Sequence, residues 1–204
     1  MTEKPTSGGD GAPADVSTAV TVAAPLRHTG ADILTPPGDA TVGKEKEADA
    51  LLGPLLAGIE GARLEDSHGK EVLRLPRQHL LEFCRAAREA GFEMCVDVTA
   101  VDWYRLRRTR FEVVVSLLSR QHRRRLRVLV PVPADDPVVP SVVPVWPGAS
   151  YGEREAYDMF GIVFEGHPDL TRILMPDDWE GYPLRKDFSV GSVPVQFKGS
   201  HKVT

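Results

Sequence analysis

The side chains best suited to chemistry are concentrated in one short stretch of the C-terminal third. Glu153, Arg154, Glu155 and Asp158 fall in a run that ends at Gly161 and whose composition predicts a short helix. Two or three carboxylates on one helix could perform acid–base catalysis or bind a metal ion. A metal would need further ligands, and the nearby sequence supplies one histidine, no cysteine and no paired aspartates. The pattern therefore favours an ionic helix end that fixes a loop or an interface.

His167 is the histidine close to these carboxylates, in the sequence Gly166-His167-Pro168. A histidine at this place could act as a base, a metal ligand or a pH-sensing group. The proline that follows holds the backbone of the histidine extended. Because a single histidine in a turn more often serves as a hydrogen-bond partner, we predict a structural role for His167.

A second concentration of charge, between residues 105 and 127, contains nine arginines and one acid, Glu112. Such a run could form a nucleic-acid-binding face. However, the densest part, Arg123–Arg125, falls at a predicted hairpin turn, and no row of aromatic residues accompanies it to stack bases. Residues 51–204 also carry 21 basic and 21 acidic groups, so the body of the chain is neutral. These features favour a charged hairpin edge, and a free-standing nucleic-acid-binding module stays open as an alternative.

Motifs that hold metals, nucleotides or nucleophiles are missing from the sequence. Cys84 and Cys95 stand eleven positions apart and cannot supply the roughly four ligands of an iron–sulfur or cysteine-rich zinc site. No glycine-rich phosphate loop lies between a strand and a helix, and neither G-x-S-x-G nor H-E-x-x-H occurs. We therefore expect no catalytic, cofactor-binding or metal-binding residue in this chain.

The charged residues must be positioned by an α+β domain, in which helices pack on one face of a small antiparallel sheet. Amphipathic spacing from Ala48 to Ile59 predicts a helix that is kinked or restarts at Pro54, and a second helix is predicted from Pro76 to Ala90. Period-two alternation and turn residues predict a hairpin and then a three-stranded antiparallel meander. The predicted strands are Ala62–Asp66, Glu71–Leu75, Met94–Asp102, Arg110–Ser119 and Arg123–Val132. Six prolines between residues 131 and 148 predict an extended surface connection.

Composition divides the chain into three regions. Residues 1–44 contain 11 glycines and prolines and no aromatic residue, which predicts a disordered tail. Residues 45–148 are expected to form the α+β domain, and residues 149–204 a turn-rich, extended C-terminal arm. The N-terminus does not resemble a secretory signal, and no run approaches the ~18 apolar residues of a membrane-spanning helix. We therefore expect a soluble chain with no direct membrane span.

The C-terminal arm also carries a dense series of motifs. These are Glu153-Arg-Glu-x-Tyr157-Asp-Met-Phe-Gly161, Gly166-His-Pro-Asp-Leu170, Arg172-Ile-Leu-Met-Pro176 and Gly181-Tyr-Pro-Leu-Arg-Lys-Asp187. Together they resemble the 30 kDa subunit, also called the C subunit, of the respiratory NADH:quinone oxidoreductase (complex I). The resemblance is dense over residues 153–188, continues in outline back to about residue 46 and does not cover residues 1–44.

The resemblance implies a peripheral-arm subunit that has no cofactor of its own and lies at the cytoplasmic face of the cell membrane. It implies partners that carry the terminal iron–sulfur cluster and the quinone cavity, with FMN and the iron–sulfur clusters held by partner subunits. The assembled enzyme would pass electrons from NADH to quinone and pump protons, with no bond chemistry in this chain. Equivalent subunits of membrane-bound hydrogenases, or of dehydrogenases with other electron donors, stay open.

The mixture of aromatic and charged residues in the arm is typical of interface hot spots. We therefore predict that partner subunits order the arm, with Arg172, Arg185 and Lys186 meeting carboxylates and the acids near residue 155 fixing the first helix. The predicted partner-interface residues are Glu153, Arg154, Glu155, Asp158, His167, Arg172, Trp179, Tyr182, Arg185, Lys186 and Asp187.

Overall fold

The computed structural model describes residues 44–189, and these form three α-helices and eight strands. The predictions for residues 1–43 and for the end of the arm, residues 190–204, lie outside the described residues. The helices are α1 (Leu52–Leu56), α2 (Leu80–Glu89) and α3 (Ser150–Phe160). The strands are β1 (Lys44–Glu45), β2 (Arg63–Ser67), β3 (Lys70–Arg74), β4 (Met94–Asp102), β5 (Phe111–Ser119), β6 (Arg124–Val132), β7 (Val138–Pro140) and β8 (Val163–Glu165).

Six of these strands form one sheet, in the order β1-β2-β3-β6-β5-β4. β2 and β3 make the predicted hairpin, and β4, β5 and β6 make the predicted antiparallel meander. β3 runs parallel to β6, with Leu73 opposite Val128, because the chain leaves β3 through α2 and crosses to the far edge before the meander returns. The α+β class is confirmed, and the sheet is mixed rather than wholly antiparallel.

One face of the sheet forms the hydrophobic core. Alternate strand residues lie on this face and are buried, for example Val115 of β5 and Val128 of β6. α2 packs over them with Phe83, Cys84 and Ala87, which recur at the spacing of one helix face. α1 and α3 contribute to the same cluster. Burial of this apolar surface, worth about 25 cal/mol per Å², is the main stabilising contribution to the domain.

The opposite face of the sheet is named here the open face. Two cavities on this face are lined by residues of strands, turns and loops, and by no residue of the described helices. Strand residues on it, such as Thr99, Val114 and Leu129, are only half-buried. Near one end of this face, the loop between β4 and β5 brings Trp103 and Arg107 against Glu112.

Two predicted elements differ from the structure. Of the helix predicted over Ala48–Ile59, the chain forms only the five-residue α1, which follows the short strand β1. Pro54 occupies the first turn of α1, where proline is tolerated. The proline-rich connection is extended only in part, since it turns after Val142 and enters a 3-10 helix at Pro147. It also does not lie wholly on the surface, because Val139 and Trp146 are buried. Within this region β7 pairs with β8 in a separate two-stranded parallel sheet.

Candidate functional site

α3 carries the predicted carboxylates, and glycines fix its position. Near its start Gly152 lies so close to β4 that an added Cβ would stand 2.6 Å from the carbonyl oxygen of Val98. At its end Gly161 adopts a left-handed φ of +71°, and its N–H donates to the carbonyl oxygen of Tyr157. α3 therefore packs closely against β4, and the part of the C-terminal arm that follows α3 begins at Gly161.

Glu153 is a buried carboxylate that binds the proline-rich connection. It accepts hydrogen bonds from the hydroxyl of Ser141 and from the N–H of Val142, both at 2.6 Å. Burial raises the pKa of Glu153 more than these hydrogen bonds lower it, and no cation among its described neighbours offsets the effect. Glu153 thus fixes the backbone that leads into α3. Its predicted place at a partner interface is corrected, since the side chain has no exposed surface.

Asp158 attaches the arm to α3. Its fully buried carboxylate accepts a hydrogen bond from the guanidinium of Arg172 at 2.6 Å. It also accepts three successive backbone N–H groups, those of residues 173–175, at 3.1, 2.8 and 2.9 Å. Burial alone would raise the pKa of Asp158, but these donors hold it below its usual value of 3.8. One ionised carboxylate therefore wraps residues 172–175 around α3, and Asp158 too is a buried residue rather than a partner contact.

Asp158 and its partners form a first junction between α3 and the rest of the arm, and Arg154 and His167 add further hydrogen bonds to it. Arg154 donates to the carbonyl oxygen of Thr171 at 3.1 Å and to its hydroxyl at 2.8 Å. Nδ1 of His167 accepts the N–H of Asp169, and its Nε2 lies 3.0 Å from the hydroxyl of Ser150. A neutral imidazole whose Nδ1 accepts carries its proton on Nε2, so His167 donates to Ser150. His167 therefore joins the turn after β8 to the start of α3, a structural hydrogen-bonding role.

A second junction joins the arm to the sheet. Asp102, at the end of β4, accepts hydrogen bonds from Arg110 at 3.1 and 2.9 Å and from the backbone N–H of Lys186 at 2.9 Å. Arg110 also donates to both carboxylate oxygens of Asp187, at 3.0 and 2.6 Å. Burial opposes ionisation of Asp102, yet these hydrogen bonds lower its pKa, and Arg110 lowers the pKa of Asp187. Both carboxylates are therefore ionised. Arg110 binds both of them and so ties Asp187 of the arm to Asp102 of the sheet.

Between the two junctions the arm packs through an arginine and aromatic rings. Arg185 donates to the carbonyl oxygen of Phe160 at 2.6 Å. Its guanidinium lies 4.4 Å from the ring centroid of Tyr182 and 5.2 Å from that of Phe111. Tyr182 lies directly against Gly161, where an added Cβ would stand 2.5 Å from the ring. Only glycine fits at this point, for reasons of space as well as of backbone conformation.

In the part of the arm that the structure describes, the groups predicted to meet partner subunits meet groups of the same chain instead. Arg172 and Asp187 do form ion pairs, but their partners are Asp158 and Arg110 of the same chain. Arg185 meets a carbonyl oxygen and two aromatic rings instead of a carboxylate. The described part of the arm is held within the chain because two buried aspartates, Asp158 and Asp102, accept hydrogen bonds from it.

Other predicted interface residues remain accessible. Glu155 and Lys186 are exposed, and Trp179 is half-buried, with its ring centroid 6.4 Å from that of Phe188. Tyr151, which the sequence analysis did not single out, is 70% exposed and lines a cavity of about 250 Å³ together with Glu155. Helical periodicity could have indicated it, since Tyr151 lies one turn before Glu155 on the outer side of α3.

Asp102 and Arg110 were not predicted as site residues either. Their partners in the arm lie 84 and 77 positions away in the sequence. A separation of this size leaves no local pattern in a single sequence. The only indication was that Asp102 and Arg110 lie within the part of the chain, back to about residue 46, over which the resemblance to the family continues in outline.

The described residues hold the arm on α3 at one junction and on the sheet at the other. Residues 44–189 contain no group of three or more histidine, cysteine, aspartate and glutamate side chains arranged to hold a metal. Burial raises the pKa of both thiols, that of Cys95 to about 12, so Cys84 and Cys95 stay protonated at neutral pH. In the same residues no helix is both long and apolar enough to cross a bilayer.

Comparison with known proteins gives the family. Residues 73–193, which include α3 and both junctions, match the family described as respiratory-chain NADH dehydrogenase, 30 Kd subunit. The chain is 53% identical over 135 residues to the C subunit of NADH-quinone oxidoreductase from Saccharopolyspora erythraea, across 65% of this chain and 54% of that protein. It is 47% identical over 148 residues to the C subunit from a Nocardioides species, across 70% of this chain and 59% of that protein. It thus spans about half the length of the curated relatives it matches.

Two solved structures share the fold. The trypsin-resistant fragment (1–134) of Nqo5 has a TM-score of 0.54 and 37% identity, across 59% of this chain and 96% of the fragment. A chain of the membrane-bound sulfane sulfur reductase, an archaeal respiratory membrane complex, has a TM-score of 0.60 and 25% identity, across 74% of this chain and 95% of that chain. With a family match that covers more than half of its residues, this chain belongs to the family of the 30 kDa subunit of respiratory-chain NADH dehydrogenase.

Proposed function

We propose that this chain is a non-catalytic peripheral-arm subunit of the proton-pumping NADH:quinone oxidoreductase. In this role it supports the subunits that carry the terminal iron–sulfur cluster and the quinone site, while electrons pass from NADH to quinone. FMN and the iron–sulfur clusters belong to partner subunits, and the chain lies at the cytoplasmic face of the cell membrane. The proposal is supported by relatives that are named as the C subunit of NADH-quinone oxidoreductase and are 42–53% identical to this chain.

The observation that carries the proposal is a set of exposed apolar side chains on α3 and on the arm segments bonded to its end. Tyr151, Leu174 and Leu184, here named the apolar strip, are 70%, 56% and 52% exposed. Large exposed apolar side chains are candidates for protein–protein contacts. Asp158 fixes the backbone N–H of Leu174, and the N–H of Leu184 donates to the carbonyl oxygen of Met159 at 3.1 Å. The strip is therefore preorganised, which lowers the entropic cost of binding a partner.

A second candidate is the equivalent subunit of a related complex, either a membrane-bound hydrogenase or a dehydrogenase with another electron donor. The similarity to a chain of the sulfane sulfur reductase, with a TM-score of 0.60, favours this alternative. Its identity of 25% is lower than the 42–53% of the NADH-quinone oxidoreductase relatives, so the NADH enzyme is the better-supported assignment.

The experiment replaces the strip in a strain that carries the variant chain in place of the native one. Tyr151→Ser/Leu174→Ser should reduce the amount of assembled complex on native gels. NADH:quinone activity per assembled complex should stay nearly unchanged, because the strip binds partners and performs no chemistry. The control Leu106→Ser/Val163→Ser removes apolar side chains that are 49% and 39% exposed outside the strip, and it should assemble normally.

Two outcomes would contradict the proposal. Normal assembly with a collapse of turnover per complex would assign the strip to catalysis or coupling. Full NADH:quinone activity in membranes that lack the chain altogether would favour the complex with another electron donor.

A further inference from the structure

A basic groove of about 660 Å³ lies at the end of the open face where the β2–β3 and β5–β6 turns meet. Six basic side chains and three carboxylates contribute to its walls. The basic residues are Lys46, Lys70, Arg123, Arg124, Arg125 and Arg127, and the acids are Asp66, Glu71 and Asp97. This groove is separate from the apolar strip and has no part in the proposed function above.

Only some of this charge is neutralised within the chain. Lys46 and Arg124 share the carboxylate of Glu71, and Arg124 also pairs with Asp49 at 2.6 Å. The other basic side chains of the groove are exposed and form no ion pair with any residue in the described part of the chain. These unpaired cations are Lys70, Arg123, Arg125 and Arg127.

The unpaired cations stand close to one another. Arg125 and Arg127 are two positions apart on β6, so they project from the same face with Cα atoms about 6.6 Å apart. Glu71 of β3 pairs with Leu126 of β6, which places Lys70 level with Arg125 on the neighbouring strand, about 4.8 Å away. Like charges at adjacent positions destabilise a sheet. An anionic partner bound in the groove would relieve this repulsion.

The opposite end of the open face shows that the chain can pair its arginines internally. There Glu112 accepts hydrogen bonds from Arg74 and from Arg107, both at 2.8 Å, and from the indole N–H of Trp103 at 3.1 Å. Arg74 also donates to the buried Glu65 at 3.0 Å. Arg74 and Arg107 are thus paired at that end of the open face, whereas the four neighbouring cations of the basic groove are not paired within the described residues.

An extended acidic peptide fits the groove better than a nucleic acid does. Side chains on one side of an extended peptide repeat about every 6.6 Å, which is the spacing of Arg125 and Arg127. Among the described residues that line the groove there is no aromatic ring on which a base could stack. Asp66 and Asp97 would repel phosphates, whereas a peptide can offer them an N–H group or a lysine.

We propose that the basic groove is a docking site for an acidic segment of a partner protein. The segment binds in an extended conformation, with carboxylates at alternate positions paired to Lys70, Arg125 and Arg127. Because this attraction is electrostatic and exposed, binding weakens as the salt concentration rises.

The test measures fluorescence polarisation of a short fluorescein-labelled peptide of alternating glutamate and valine, with the full chain at low salt. The unmodified chain should bind it saturably. Arg125→Glu/Arg127→Glu should bind at least about tenfold more weakly, because each replacement removes an attraction and adds a repulsion. The control Arg85→Glu/Arg108→Glu makes the same charge change at exposed positions outside the groove, and it should bind within about twofold of the unmodified chain.

Several results would overturn the proposal. These are no binding by the unmodified chain, equal loss in both double variants, and preference for an oligothymidylate over the peptide. Binding that becomes much stronger when residues 1–43 are removed would assign the groove to that segment of the chain instead of a partner. Circular dichroism checks that Arg125→Glu/Arg127→Glu folds. If it does not, Lys70→Glu/Arg123→Glu, at the turns, provides the same test.

Discussion

At the scale of single residues, two buried carboxylates on α3 behave in opposite ways because their surroundings differ. Asp158 receives one guanidinium and three N–H groups, so its pKa is lowered. Glu153 receives two donors and no cation among the described residues, so burial prevails and its pKa is raised. When the pKa of an acid is higher in the folded than in the unfolded protein, its protonated form stabilises the fold at low pH. This stability is lost as the pH rises from the unfolded-state pKa to the folded-state pKa. Asp158 contributes stability that is lost as pH falls below its usual value of 3.8.

The first prediction concerns Glu153. Glu153→Gln should match or slightly exceed the unmodified chain in its free energy of unfolding at neutral pH. The amide oxygen can accept the N–H of Val142, the amide N–H can donate to Ser141, and no charge is buried. The advantage of the variant should grow as pH rises above 4.5, the usual carboxyl value, and denaturant unfolding at several pH values measures it.

The matched variant is Glu153→Ala. It leaves the Ser141 hydroxyl and the Val142 N–H without their partner, at a cost of about 1–3 kcal/mol for each buried group. If Glu153→Gln lost as much stability as Glu153→Ala at every pH, the carboxylate itself would be needed. The buried-charge explanation would then be wrong.

At the scale of elements, the sequence predicted what is local. Alternating residues indicated the hairpin and the meander, and helical spacing indicated α2, since these signals lie within a few residues. The parallel pairing of β3 with β6 depends on a crossover and leaves no such signal. The helix predicted over Ala48–Ile59 is shortened to α1, which has Pro54 in its first turn and ends at Leu56. The carboxylates of α3 were found from composition, but their partners in the same chain were not.

A prediction at this scale uses two glycines of similar conformation. Gly161 and Gly166 have φ of +71° and +83°, so alanine costs about 1–2 kcal/mol of backbone strain at either position. At Gly166 an added Cβ meets nothing within 4 Å, whereas at Gly161 it meets the Tyr182 ring at 2.5 Å and Arg185 at 2.6 Å. Gly161→Ala should therefore also displace the arm, and limited proteolysis should cleave residues 176–189 much faster than in Gly166→Ala. Equal cleavage of both variants would mean that the arm does not pack on Gly161.

At the scale of the whole molecule, the described arm closes on the domain at two points, one on α3 and one on the sheet. This arrangement fixes the backbone of Leu174 and Leu184 in the apolar strip. The basic groove lies on the open face of the sheet. The molecule therefore offers two surfaces of different chemistry, one apolar and preorganised, the other cationic.

The corresponding prediction is that the arm is ordered in the isolated full chain. Amide hydrogen exchange should be slow at residues 173–175, whose N–H groups are bound by Asp158, and at Lys186, whose N–H is bound by Asp102. Exchange should be faster at the exposed Asp177 and Asp178 between them. Uniformly fast exchange across the arm that became slow only in the assembled complex would restore the view that partners order it.

The hydrogen bond from the backbone N–H of Lys186 to Asp102 also sets an order of events while the chain is being synthesised. β4 is complete at Asp102, but Lys186 is added 84 residues later, several seconds at a synthesis rate of about 5–20 residues per second. Ile173, whose N–H binds Asp158, is added only 15 residues after Asp158. The end of α3 can therefore close early, whereas the end of β4 keeps an incompletely bonded aspartate until residue 186 has been added. A chain that stopped before residue 186 would have a complete sheet and a permanently unfinished junction.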